Sequence, residues 1–218
     1  MEFKQLILLG PPGAGVEAQA KALSGRWHIP HVSMGQLIRE AVNKGAALGL
    51  EVKPYVETQT LVPDALVIKL LRKRFEQPDV MLKGWVLDGF PRTLTQAEAL
   101  NKLLLAVGQP TAKVAYLKAM TGLLINRLSA EDGYEPIPVI RRRLACHQAE
   151  STPLLEYYQQ QGQLTTINAS LSVAEVTHAL SELFQAETGA ARFISDESEL
   201  DSLMAQESLL VVDCMASW

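Results

Sequence analysis

Only two cysteines occur in the 218 residues, Cys146 and Cys214, far apart in the chain. That excludes a disulfide framework and suits a reducing compartment. Aromatic residues make up just 6%, so aliphatic side chains have to fill the core. No apolar run approaches the roughly 20 residues that span a bilayer. Met1–Gln5 is too short and too polar for a signal peptide. The expected location is cytoplasmic, with no membrane contact. A basic excess is also missing: the formal net charge is −4, which argues against nucleic acid as a partner. The charge is unevenly spread. Residues 187–207 hold six acids and one base, and the rest of the chain is left at about +1. A near-neutral body with an acidic tail is compatible with anionic ligands held in a local basic pocket. The four histidines, His28, His31, His147 and His178, lack metal-ligand spacing and read as ordinary; Cys146 reads as an inert helix residue.

Hydrophobic residues are plentiful, at 48%, enough for one full core. Leu6–Leu9, Trp85–Leu87, Val114–Leu117 and Leu164–Ile167 are short continuous apolar or β-rich runs, as expected of buried strands. Helical patterns stand between them. One runs from the glycine turn to about Trp27. Another carries Met34, Leu37, Ile38, Ala41 and Val42 on one face, and a third carries Leu66, Val67, Leu70 and Leu71 behind Pro63. Thr95 is the expected cap of a helix with Ala99, Leu100, Leu103 and Leu104, and Thr121 that of the next. A loop at 129–138 precedes a long helix that Pro153 should kink or interrupt. Ser172 and Glu175 form a capping-box pattern before a last amphipathic helix. Strands alternating with helices predict an α/β domain with a parallel sheet, whose ligands bind beyond the carboxyl ends of the strands.

Two motifs follow strands. Gly10-Pro-Pro-Gly-Ala-Gly15 joins a strand to a helix, the setting of a phosphate-binding loop. Backbone N–H groups at Gly10, Gly13, Ala14 and Gly15 would turn inward on an anion, helped by the helix N-terminus. Such a loop needs a lysine for the terminal phosphates and a hydroxyl for magnesium. Here Val16, Glu17 and Ala18 follow, and neither function has a side chain. The second motif is Asp88-Gly-Phe-Pro-Arg92.

Those motifs, with Gly35–Arg39 after Ser33, Leu61-Val-Pro-Asp64 and the Arg127…Arg143 segment, resemble the adenylate kinase family over roughly residues 1–185. The resemblance implies a P-loop nucleoside monophosphate kinase fold that transfers a phosphoryl group between ATP and AMP with magnesium. It implies that Arg39 and Arg92 hold the AMP phosphate, with Arg143 between the two nucleotides. It assigns Gly89 and Gln96 to the adenine, and Val56 and Val62 to the apolar part of that pocket. Met34 stands where a threonine is usual. Arg127 matches a residue that covers the second adenine, and Asp88 one that helps orient the metal shell. The ATP side departs from the family. Val16 replaces the loop lysine, and the lid between Arg127 and Arg143 is short and without its two arginines. Glu131 and Asp132 lie near their places.

Residues 186–191 read as a linker. Residues 192–218 resemble the opening β-α-β of a thioredoxin domain, with the strand Leu209–Asp213 leading to Ala216-Ser-Trp218. Two readings follow: part of a kinase-like–thioredoxin fusion, or a remnant packed on the first domain. A thioredoxin-linked partner, or a dimer through the exposed strand, would satisfy it.

The functional expectation is therefore a catalytically impaired regulatory module of a thioredoxin fusion that binds AMP or a similar nucleotide, with ATP and magnesium not expected as ligands and no cofactor required. The alternatives are a slow nucleoside monophosphate kinase, in which Lys21 or Arg142 replaces the missing lysine, and a ligand-free scaffold for protein contacts.

Overall fold

The computed structural model describes residues 3–58, 60–130 and 135–184. The thioredoxin-like segment, the linker, Glu131 and Asp132 lie outside the described residues.

Five strands form one parallel sheet in the order β2-β3-β1-β4-β5. They are β1 (Lys4–Leu9), β2 (His31–Ser33), β3 (Gly84–Asp88), β4 (Lys113–Lys118) and β5 (Leu164–Asn168). Leu6, Ile7 and Leu8 are shielded on both faces, as are Trp85, Val86 and Leu87. This explains why those strands read as unbroken apolar runs rather than alternating ones. Registers put Leu8 opposite Asp88 and Leu9 opposite Tyr116. The ends of β1, β3 and β4 therefore stand together at one edge.

Helix α1 (Val16–Trp27) follows the glycine turn, with Ala20 and Leu23 buried. α2 (Met34–Lys44) lays Leu37, Ile38, Ala41 and Val42 against the core. α3 (Ala47–Glu57) and α4 (Asp64–Phe75) pack beside it, and α5 (Pro78–Lys83) leads into β3. α6 (Leu94–Ala106) buries Ala97, Leu100, Leu103 and Leu104. α7 (Thr121–Ala130), α8 (Ile137–Gln160) and α9 (Val173–Glu182) complete the order. At the foot of β3, Phe75 and Trp85 rings lie 4.9 Å apart. Trp85 Nε1 and Gln5 Nε2 both donate to Gln109 Oε1, at 2.6 and 2.7 Å.

Several expectations need correction. Thr93, not Thr95, caps α6: its side chain accepts from the Gln96 N–H. Pro153 does not interrupt α8, which runs through it without a break. Leu154 and Tyr158, both buried just beyond the proline, hold that half of the helix on the core. Their burial offsets the lost backbone bond. Strand β2 and helices α3 and α5 were not foreseen. The Ser172–Glu175 box is present: Glu175 Oε2 accepts from the Ser172 N–H at 2.9 Å, and the Glu175 N–H donates to Ser172 Oγ at 3.3 Å.

Candidate active site

The glycine turn hangs from the end of β1. Gly13 and Gly15 take φ of 82° and 81°, which L side chains rarely adopt. Gly15 opens α1 with no side-chain cap, so the first N–H groups of α1 are without a side-chain acceptor there. Close approach explains Gly10: a Cβ there would stand 2.9 Å from Val16 Cγ2 and 3.2 Å from the Leu117 carbonyl. Val16 thus packs its methyl over the turn from which a lysine would reach outward.

A cavity of about 960 Å³ lies at this edge. The turn lines it through Gly10, Gly13, Ala14 and Gly15. The loop after β3 supplies Asp88, Gly89 and Arg92; α7 supplies Arg127 and α8 supplies Arg143. The remaining candidates, Arg39, Val56, Val62 and Gln96, lie outside its lining. Arg39 is exposed on α2, its Nη1 3.3 Å from where a Cβ of Gly35 would be. Val56 is exposed on α3, and Val62 packs partly against the core.

The arginines differ in what engages them. Arg92 is exposed and donates from Nε to the Gly89 carbonyl at 3.3 Å. Arg127 donates from Nη1 to the Gly13 carbonyl at 3.2 Å, tying α7 to the turn. Arg143 pairs with Glu135. Gln96 is committed internally: its Oε1 accepts from the Arg92 N–H at 2.8 Å, and its Nε2 donates to Asp64 Oδ1 at 2.7 Å. Asp88 is buried, and its Oδ2 lies 2.5 Å from His31 Nε2 on β2. That contact holds the carboxylate at the sheet edge. Met34 is buried under Gly89, where φ is 74°.

Neither replacement suggested for the lysine fits. Lys21 Nζ is held 2.6 Å from Glu17 Oε1 on the outside of α1, and neither Lys21 nor Arg142 lines the cavity. The ion pair does offset the negative charge that Glu17 brings to the cavity wall.

Sequence reasoning missed two groups. Ala169, Leu171 and Val173 form an apolar wall just past β5. The rule that ligands sit beyond strand carboxyl ends could have found them. His147 and Glu150 also line the cavity, from α8. His147 follows Arg143 by four residues, a same-face spacing that was readable. Burial, then the Arg92 charge, lower the His147 pKa below its ordinary value; Glu150 and the Gly10 backbone raise it by less. Burial raises that of Tyr116, on β4 at the same cavity.

A family model described as Adenylate kinase matches residues 8–163. An "Adenylate kinase 1" of Nostoc sp. is 43% identical over 177 residues, covering 81% of this chain and 96% of its own length. An "Adenylate kinase" of Cyanothece sp. is 44% identical over 178 residues, covering 79% and 91%. One of Methanocella arvoryzae is 37% identical over 207 residues, covering 79% and 94%. Relatives of this similarity, named for the phosphotransferase itself, contradict the expectation of an impaired regulatory module.

Proposed function

The chain belongs to the adenylate kinase family, and from that footing we propose that it is a slow adenylate or nucleoside monophosphate kinase, moving a phosphoryl group from ATP to AMP. The observation that carries this is the convergence of Arg92, Arg127 and Arg143 with the glycine turn around one cavity at the carboxyl edge of the sheet. Phosphoryl transfer needs little covalent help from a protein. It needs the two nucleotides aligned and the charge on the moving group spread over fixed donors.

In this reading the backbone N–H groups of the turn and the α1 N-terminus receive phosphate oxygens. Arg92 and Arg143 grip the transferring and accepting phosphates as planar, two-pronged donors. Arg127 and the Ala169–Val173 wall take the base of the phosphate donor. Arg39, Gln96, Val56 and Val62 are assigned to AMP on the family motif alone. Magnesium enters as part of the ATP substrate. Among the described residues there is no group of three or more His, Cys, Asp or Glu side chains able to hold a metal.

The rate is proposed to be low because the turn is degenerate. Removing one preorganised donor to developing charge typically costs about 10²–10³ in kcat, and Val16 and Ala18 leave two roles unfilled. Cytoplasmic location follows from the same reading, since nucleotide substrates are there. The thioredoxin-like character of 192–218 is supported by its residues only.

A coupled assay with ATP, AMP and magnesium tests the proposal, with Arg92→Ala prepared in parallel. Turnover well above that of Arg92→Ala is the expected result. No difference between the two proteins, at enzyme concentrations near those of the substrates, would reject it.

A further inference from the structure

His147 is the histidine that lines the cleft. Its ring is half-buried, and Nδ1, shielded from solvent, makes no well-formed hydrogen bond among the described residues, the Gly10 backbone acting on the ring only weakly. Buried polar nitrogens are normally paired, so an orphaned one at the wall of a ligand-sized cavity calls for an explanation. The ring stands one helical turn past Arg143, close enough to Arg92 to feel its charge and beside the backbone of Gly10. It therefore lies near both the glycine turn and two of the cleft's arginines. A phosphate oxygen received by the turn would come within its neighbourhood.

We propose that His147 is a phosphate-binding residue of this cleft, supplying as an imidazolium the cation that Val16 leaves out of the glycine turn. The proposal rests on reading the cleft as a nucleotide-phosphate site. In the empty cleft the ring is neutral, because burial and Arg92 both disfavour its charge. An arriving phosphate reverses that balance. The ring then takes one proton from solvent and donates an N–H to a phosphate oxygen, so binding and protonation are linked.

The groups that set this equilibrium come from several elements. On α8 they are Arg143, Cys146 and Glu150; from the β3 loop, Asp88 and Arg92. Tyr116 on β4, Arg127 on α7 and Glu17 on α1 complete the wall. Arginines and carboxylates are matched there at three each, so the nucleotide's negative charge is what tips the ring towards the protonated form.

Titration calorimetry of the full chain with AMP and with ATP, in buffers of different ionisation enthalpy at pH 7.5, reads the linked proton directly. Wild type should take up close to one more proton per nucleotide than His147→Gln. The phosphate's own proton is common to both proteins and cancels. His147→Gln should bind about tenfold more weakly, in keeping with loss of a hydrogen bond to a charged group. His147→Lys, a fixed cation, should restore affinity and abolish its rise between pH 8 and pH 6. Equal affinity and equal proton uptake in wild type and His147→Gln would overturn the proposal and leave the kinase reading standing. A wild-type protein that binds no nucleotide would remove both.

Discussion

Arg143 donates from Nη1 to Glu135 Oε2 at 2.9 Å, so a carboxylate from just before α8 already occupies one of the cleft's guanidinium groups. The pair is partly exposed, with Arg143 at 46%. Such pairs contribute at most about 1 kcal/mol. An incoming phosphate must displace Glu135. Glu135→Gln should therefore lower the nucleotide Kd by up to about fivefold, with thermal stability almost unchanged. Calorimetry on the two proteins checks it; weaker binding by the variant would contradict the competition.

Val16 packs on Gly10 rather than reaching outward. A lysine there keeps most of that aliphatic contact through its stem and adds an ammonium at the phosphates. Val16→Lys should raise kcat by on the order of 10²-fold, in line with restoring one preorganised donor. KM for ATP should fall less. Steady-state kinetics decide it, and an unchanged kcat would place the limiting deficit elsewhere.

The lowered pKa of His147 has a consequence for stability. Its folded-state value lies below the ordinary 6.5, so below pH 6.5 the unfolded chain binds a proton that the folded one refuses. The contribution is fully favourable above that pH and is lost as pH falls towards the folded value. Urea midpoints measured from pH 7 down to pH 5 should drop more steeply for wild type than for His147→Gln. Arg92→Ala, which removes a repelling charge, should raise the His147 pKa in an NMR titration of the ring proton.

Gln109 Oε1 serves two buried donors, Trp85 Nε1 and Gln5 Nε2. Gln109→Leu would leave both unpaired at the amino end of the sheet, far from the cleft. Orphaned buried donors cost about 1–3 kcal/mol each. The variant should melt roughly 6–12 °C lower, as about 3 kcal/mol does in a domain of this size. Its KM values should be unaltered. Differential scanning calorimetry with kinetics separates the two effects.

The elements that were legible are those where one physical signal dominates. β1, β3, β4 and β5 were found because three or more consecutive aliphatic, aromatic or β-branched residues admit little else. β2 was not, because it has three residues and only Val32 is fully buried. α3 carries Gly49 and Pro54, which argue locally against a helix, yet Gly49 is there for close contact: a Cβ would lie 1.8 Å from the Ala41 carbonyl of α2. Pro153 was misjudged for the same reason, since packing of Leu154 and Tyr158 lies beyond local propensity. At the site, the motif residues form two compact clusters, Gly10–Gly15 and Asp88–Arg92, and the spacing within each made them visible. His147 and the Ala169–Val173 wall reach the cleft through the packing of α8 and the end of β5, and their cues, the spacing from Arg143 and the rule for strand ends, went unused. Function was misread by weighing the absent loop lysine, hydroxyl and lid arginines above the remaining likeness to proteins named for the kinase.

β1 is the middle strand, paired on both sides, and the glycine turn begins at its next residue. Its amide hydrogens can meet solvent only when the whole sheet parts, so deuterium should enter Leu6–Leu9 last of all. The loop that grips the anion is thereby moored to the slowest-opening segment of the molecule. Peripheral helices can fray and re-form many times while the distance between that loop and the one after β3 stays fixed by the Leu8–Asp88 rung.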